Sequence, residues 1–336
     1  MNDSMRTALE GFLQRATGAA HVAIGEAKLL SGGSIQENWA IRANLMGAAG
    51  EPQLDLVVRT DAPSGVHVSH SRSEEFALLR AAFAAGVTVP EPLWLCEDAS
   101  LIGRQFFVMR RVSGVAASHL VVKDARYGGD RTRLLERLGG ELARIHSIRP
   151  PRADLAFLPK PEGSPALHHV RRLRADLDAH NTPHPALEWG LRWLERHAPA
   201  TDEVVLCHRD FRTGNYMVDE NGLTAVLDWE FSAWGDPLED IGWFCAKCWR
   251  FGQPGEAGGI GARDDFYRGY ERVSGRRLDR ALVRYWEVMA HLNWAVIAIQ
   301  QAQRHVSGEE TSLLLALTGH IVPELEYEVL AMTETD

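Results

Sequence analysis

Leu206-Cys-His-Arg-Asp-Phe-Arg-Thr-Gly-Asn-Tyr-Met-Val218, followed by Leu223-Thr-Ala-Val-Leu-Asp-Trp-Glu230, is the stretch on which the reading of this chain turns. Short apolar runs flank a polar loop, so residues 204–228 read as a small β-rich island. The island sits in helical surroundings: amphipathic periodicity predicts helices over 130–147, 164–180, 185–197, 237–250, 262–273, 278–303 and 309–332. Upstream the pattern is different. A leading helix over 4–17 gives way to strand-like segments between Val22 and Val58, a helix over 72–86 stopped by Gly86, and strands near 93–97 and 105–112. A β-rich first third and a helical remainder make an α+β chain. The change of character places an N-terminal lobe at residues 1–112 and a helical C-terminal lobe at 113–336.

Composition narrows the function classes. The chain has 336 residues, of which 45% are hydrophobic and 24% charged, enough apolar content for two packed lobes. A net charge of -9 argues against nucleic acid or an anionic membrane as partner. The four cysteines, at 96, 207, 245 and 248, make no disulfide framework. The first residues lack an apolar core and no run of 18 apolar residues occurs, so the expectation is a soluble cytoplasmic protein. The reading allows a homodimer.

Within the central stretch, His208-Arg209-Asp210 with Asn215 five residues after the aspartate fits the pattern H-R-D-x-x-x-x-N, and Asp228 ends an apolar strand 13 residues further on. Phosphoryl transfer explains these residue types, because it needs positioning and charge neutralisation more than covalent chemistry. Asp210 would accept the proton of an acceptor hydroxyl. Asn215 and Asp228 would hold magnesium, whose preference is for hard oxygen ligands. A hairpin over 216–228 would return Asp228 to the other two.

The run from Cys207 to Asn215, with Val226-Leu-Asp-Trp-Glu-Phe-Ser-Ala-Trp-Gly-Asp-Pro-Leu-Glu-Asp240, resembles the aminoglycoside-phosphotransferase superfamily, closest to the branch that includes kinase-like domains fused to acyl-CoA dehydrogenases. The likeness covers about residues 20–330. It implies a bilobal protein-kinase-like fold, with 1–112 as the nucleotide-binding lobe and 113–336 carrying the catalytic loop and acceptor pocket, that binds ATP and Mg2+ and phosphorylates a hydroxyl of a small molecule, an aminoglycoside or a hydroxylated metabolite such as an acyl-CoA. It further implies a glycine-containing turn over the phosphates at Gly32, Gly33 and Ser34. A basic residue on the third strand falls on Arg59, paired with Glu75 or, as the alternative, Glu74. The hinge to the adenine edge falls on 109–112, with Met109 and Arg111 as contacts. Arginine replaces the lysine of protein kinases, and Asp228-Trp229-Glu230 replaces Asp-Phe-Gly. Those two departures motivate the alternative of a nucleotide-binding pseudokinase serving as an interaction module.

Other features are given structural readings. Cys245-Ala-Lys-Cys248 reads as a buried helix face, His208 as a loop residue, Asp236 as a helix N-cap before Pro237, and Asp240 as a brace for the catalytic loop. Glu230 either joins the metal shell or makes a structural hydrogen bond. The glycine-rich stretch 252–261 reads as a mobile loop, and Tyr267, Tyr270, Gln300 and Gln301 as walls of an acceptor pocket.

Overall fold

The computed structural model describes residues 1–30, 36–47, 50–61, 69–180 and 182–334. Its elements are α1 (Asp3–Thr17), β1 (His21–Leu29), β2 (Gln36–Met46), β3 (Gln53–Asp61), α2 (Arg72–Ala84), β4 (Pro92–Cys96), β5 (Phe106–Arg110), α3 (Ser118–Lys123), α4 (Arg131–Ile145), α5 (Pro165–Asp178), α6 (Pro185–Arg196), β6 (Val205–Cys207), β7 (Tyr216–Val218), β8 (Leu223–Val226), β9 (Ala233–Gly235), α7 (Pro237–Cys245), α8 (Arg263–Ser274), α9 (Arg280–Val306), α10 (Leu313–Gly319) and α11 (Val322–Thr333). This is the α+β class expected, with a small β-rich part and a larger helical one. The chain divides into two compact units that are discontinuous in sequence. Met1–Gly114, Arg152–Phe157 and Thr224–Phe231 form the β-rich unit, and Val115–Pro151, Leu158–Leu223 and Ser232–Asp336 the helical unit.

In the β-rich unit the sheet runs β1-β2-β3-β5-β4 with every pairing antiparallel. Alternation along β2 and β3 sends Ile41, Leu56 and Val58 inward, where they meet Phe106 and Val108 of β5 and Leu9 and Leu13 of α1. The β2–β3 register sets Asn38 opposite Arg59. Helix α2 begins with a capping box: the Ser71 side chain takes the Glu74 N–H, and the Glu74 carboxylate reaches back to Ser71. Glu74 is thereby committed to the cap, and Glu75 is the residue buried against the sheet.

The core of the helical unit gathers Leu173, Leu191, Leu194, Trp286, Met289, Leu292 and Val329 from α5, α6, α9 and α11. Helices α4 and α8 cross at two glycines. A Cβ on Gly139 would lie 2.1 Å from the Phe266 carbonyl oxygen, and one on Gly269 would lie 1.9 Å from that of Glu136. Only glycine lets the backbones approach this closely.

Three elements differ from the sequence reading. The helix expected over 309–332 is two helices, broken where Gly319 ends α10 and Pro323 opens α11. The helix expected over 237–250 ends at Cys245, because Ala246 turns to an extended backbone before a short 3-10 turn. The glycine-rich stretch 252–261 is packed rather than loose. Gly255 bridges Gly259, Ala257 bridges Gly261, and Ala257 is buried.

Candidate active site

The loop after β6 is shaped by one carboxylate. Strand β6 pairs with β9, Leu206 opposite Trp234, which sets the loop beside the start of α7. Asp236 caps α7 by accepting the Leu238 N–H at 2.8 Å, with Pro237 in the first turn. One turn on, the fully buried Asp240 accepts the backbone N–H of His208 at 2.7 Å on Oδ2 and that of Arg209 at 2.7 Å on Oδ1. His146 Nε2 lies 3.1 Å from the same Oδ2. Asp240 therefore braces the loop, as expected, and His208 is a buried loop residue. The brace holds Arg209 at a φ of 65°, a left-handed conformation that side chains other than glycine rarely adopt.

Asp210 follows directly. Its Oδ1 accepts Arg212 Nε at 2.9 Å and Trp243 Nε1 at 3.2 Å, and its Oδ2 is paired with Asn215 Nδ2. Asn215 Nδ2 also reaches the Asp210 carbonyl at 3.0 Å, which closes the turn on itself. The structure thus brings Asp210 and Asn215 together, as the five-residue spacing implied. The carboxylate remains 13% exposed, so a solute can reach it. Arg212 did not figure in the sequence reading, and Trp243 stood there only among the tryptophans assigned to core packing or, for a few, to a pocket wall. Arg212 stacks over Trp249, 4.7 Å from the ring centroid, in a cluster in which Trp243 and Trp249 lie 5.0 Å apart. The glycine-rich stretch supports the same loop, since Thr213 Oγ1 donates to the Gly258 carbonyl at 2.6 Å.

A second group of charges lies in the β-rich unit. Arg59, buried on β3, donates through NH2 to Glu75 Oε1 at 2.7 Å and to Asp228 Oδ1 at 3.0 Å. Glu75 takes Arg72 on its other oxygen, and Arg72 Nε meets Asp61 at 2.9 Å. Two guanidiniums on one buried carboxylate leave Arg59 with charge to share with Asp228, which is one third exposed. Asp228 has a φ of 67°, so both aspartate segments carry left-handed backbone at a non-glycine residue. Glu230 accepts Gln36 Nε2 at 2.6 Å, which is the structural hydrogen bond. Burial, and then the negative charge of Asp228, push the Glu230 carboxyl up to about 8. Met109 lies opposite Val57 of β3 and Pro92 of β4, and the Arg111 N–H is taken by the Asp55 carbonyl at 2.9 Å. Gly32, Gly33 and Ser34 lie outside the described residues.

One expectation fails. Tyr267 and Tyr270 are core residues, 3% and 2% exposed, and the Tyr270 hydroxyl is bonded to His146 at 3.0 Å. Their helical spacing was that of any amphipathic face, and burial took it. Cys245 and Cys248 carry no metal or disulfide geometry; burial drives both thiols upward, Cys245 to about 12. No helix among the described residues is long and apolar enough to cross a membrane.

A match to the phosphotransferase enzyme family runs over residues 26–276. The mouse protein named acyl-CoA dehydrogenase family member 10 is 33% identical over 199 residues, which is 56% of this chain and 18% of that protein. The chain thus spans about a fifth of the length of this curated relative. A candidate aminoglycoside phosphotransferase from Ralstonia eutropha superimposes with a TM-score of 0.75 over 98% of both chains at 23% identity. Spectinomycin phosphotransferase, solved with ADP and spectinomycin, does so with a TM-score of 0.63 over 97% of this chain and 98% of its own at 14% identity. At these identities the two structures speak for the fold.

Proposed function

The chain belongs to the phosphotransferase enzyme family, and on that premise we propose that it moves the γ-phosphoryl group of ATP to a hydroxyl of a small molecule, with Asp210 as base and Asn215 and Asp228 holding Mg2+. The observation that carries the reading is the pinned carboxylate of Asp210, which receives Arg212, Trp243 and Asn215 on a loop fixed by Asp240. Phosphoryl transfer through a loose transition state asks the base to orient the hydroxyl more than to strip it. A partly exposed carboxylate held by three donors suits that work, because a group fixed in place loses little entropy when the acceptor arrives.

Each of the two proposed ligands, taken by itself, suits magnesium. Asn215 spends its amide nitrogen on Asp210, which leaves the amide oxygen for a cation. Asp228 offers a carboxylate only partly engaged by Arg59. Both are hard oxygen donors of the kind magnesium takes. Bound there, the ion would neutralise charge on the transferring phosphate. Arg59, fixed by Glu75, keeps its guanidinium beside Asp228 and can fork onto phosphate oxygens where protein kinases use a lysine. The ADP in the spectinomycin phosphotransferase structure supports nucleotide binding by this fold.

The test is ATP consumption by the wild type over a panel of hydroxyl compounds, with phosphorylated product read by 31P NMR. Magnesium-dependent turnover of at least one acceptor supports the proposal. Magnesium-ATP binding, seen as a thermal shift, with no product across the panel would favour the pseudokinase alternative.

A further inference from the structure

A narrow cavity in the helical unit is lined by His169, Arg209, Glu239, Trp243, Trp286 and Asn293. It adjoins the proposed base through Trp243, whose ring forms part of the wall and whose Nε1–H bonds Asp210. The enclosed part is about 10 Å3, room for one water, so any larger ligand group must sit at the rim. Arg172 of α5 occupies that rim. It is exposed, and its NH2 donates to His169 Nε2 at 2.7 Å and to Asn293 Oδ1 at 3.2 Å. Neither partner offsets its charge: burial, and then Arg172 itself, hold the His169 imidazolium down to about 4, so the ring is neutral near pH 7.

The two carboxylates of the cavity wall, Glu239 and Asp240, are already engaged. Glu239 Oε1 lies 3.2 Å from Arg209 Nε and 3.2 Å from His169 Nδ1, and those neighbours outweigh burial to hold Glu239 down at about 2. Asp240 is filled by two backbone N–H groups and His146. No carboxylate among the described residues lies within ion-pair distance of Arg172. Although the residue as a whole is exposed, its guanidinium is drawn down to about 10, first by desolvation and then by Arg209, with Glu239 and Asp176 acting the other way. One buried donor on a wall residue of the cavity, Trp286 Nε1, has no acceptor. Arg209 is thus paired with Glu239, whereas Arg172 has only the neutral groups of His169 and Asn293 in direct contact.

Resting on the phosphotransfer reading above, we propose that the acceptor is a hydroxylated anion whose carboxylate or phosphate pairs with Arg172 while its hydroxyl meets Asp210. A polycationic aminoglycoside is disfavoured at this rim, where it would face the Arg172 guanidinium while Glu239 and Asp240 of the cavity wall are already engaged. An anion gains a charge-assisted fork from a guanidinium that has no carboxylate in direct contact.

The experiment compares hydroxy carboxylates of graded chain length, hydroxyalkyl phosphate monoesters, the neutral methyl esters of the carboxylates, and an aminoglycoside, each with wild type, Arg172→Gln and Arg172→Lys. The carboxylate and phosphate arms identify which anion is used. The expected result is that an acid is favoured over its ester by about 10-fold or more in kcat/KM, consistent with one charge-assisted contact. Arg172→Gln should raise KM for the acid by a similar factor with kcat nearly unchanged, Arg172→Lys should recover part of the loss, and the ester should respond to neither. An acid-to-ester ratio unchanged in Arg172→Gln, or an aminoglycoside as the preferred acceptor, would overturn it. Calorimetric binding of the same acids in the presence of Mg-ADP separates this claim from the phosphotransfer reading. Arg172-dependent binding without turnover would sink phosphotransfer and keep the anion site, whereas no binding of any acid would sink the anion site.

Discussion

Replacing Asp240 by asparagine tests how the catalytic loop is held. The wild-type carboxylate accepts the His208 and Arg209 N–H groups, each at 2.7 Å, at a position with no solvent exposure. Asparagine keeps one acceptor oxygen and turns the other into an NH2 group facing an N–H. One buried backbone donor is then orphaned, which costs about 1–3 kcal/mol. The surviving bond loses its charge-assisted strength, roughly half its worth. Together these give a destabilisation of about 3 kcal/mol, or about 6–12 °C in melting temperature for a unit of this size. The left-handed turn at Arg209 relaxes with the brace, and displacing Asp210 by about 1 Å should lower kcat by up to about 100-fold. Calorimetric melting and urea titration read the first effect, and steady-state turnover the second. An Asp240→Asn variant within about 1 °C and about twofold of wild type would refute the reasoning.

Trp243→Phe keeps an aromatic ring but removes the N–H that bonds Asp210; losing one hydrogen bond of about 1 kcal/mol should lower kcat about 5-fold, and the void left by the smaller side chain should cost about 1–2 kcal/mol in urea unfolding. Gly269→Ala forces a Cβ against the Glu136 carbonyl and should destabilise the helical unit by about 3 kcal/mol or more in urea unfolding. Burial raises the Asp236 carboxyl to about 7, so its neutral form is the one the fold favours. That contribution is complete below the ordinary aspartate range and is lost as pH rises through 7. Asp236→Asn keeps the cap without the charge, so its stability relative to wild type should grow by about 2–3 kcal/mol between about pH 5 and pH 8. Parallel urea midpoints for the two proteins across that range would count against it.

Much of the site was legible because it is local. Asp210 and Asn215 share one loop, and Asp236 and Asp240 carry the signature of a capped helix. Trp243 was legible too, though it was missed: it lies three residues after Asp240 on α7, hence on the same face as the brace. Arg212 gave no such signal, since its pairing with Asp210 depends on how the loop coils. The left-handed turns at Arg209 and Asp228 follow from the contacts around them and have no glycine to announce them. The tyrosines of α8 were misread because a core face and a pocket wall have the same periodicity. The glycines of 252–261 were misread because close approach needs glycine as much as looseness does. The Cβ positions at Gly258 and Gly259 are filled by Phe244, Thr213 and the Arg250 backbone.

The most direct measurement is phosphate transfer by Asp210→Ala in a single turnover, once its binding of ATP and magnesium matches wild type. The account predicts that the variant binds nucleotide normally and transfers phosphate slower by about 100-fold to 10,000-fold, the range that general-base catalysis contributes. Transfer at the wild-type rate would contradict it.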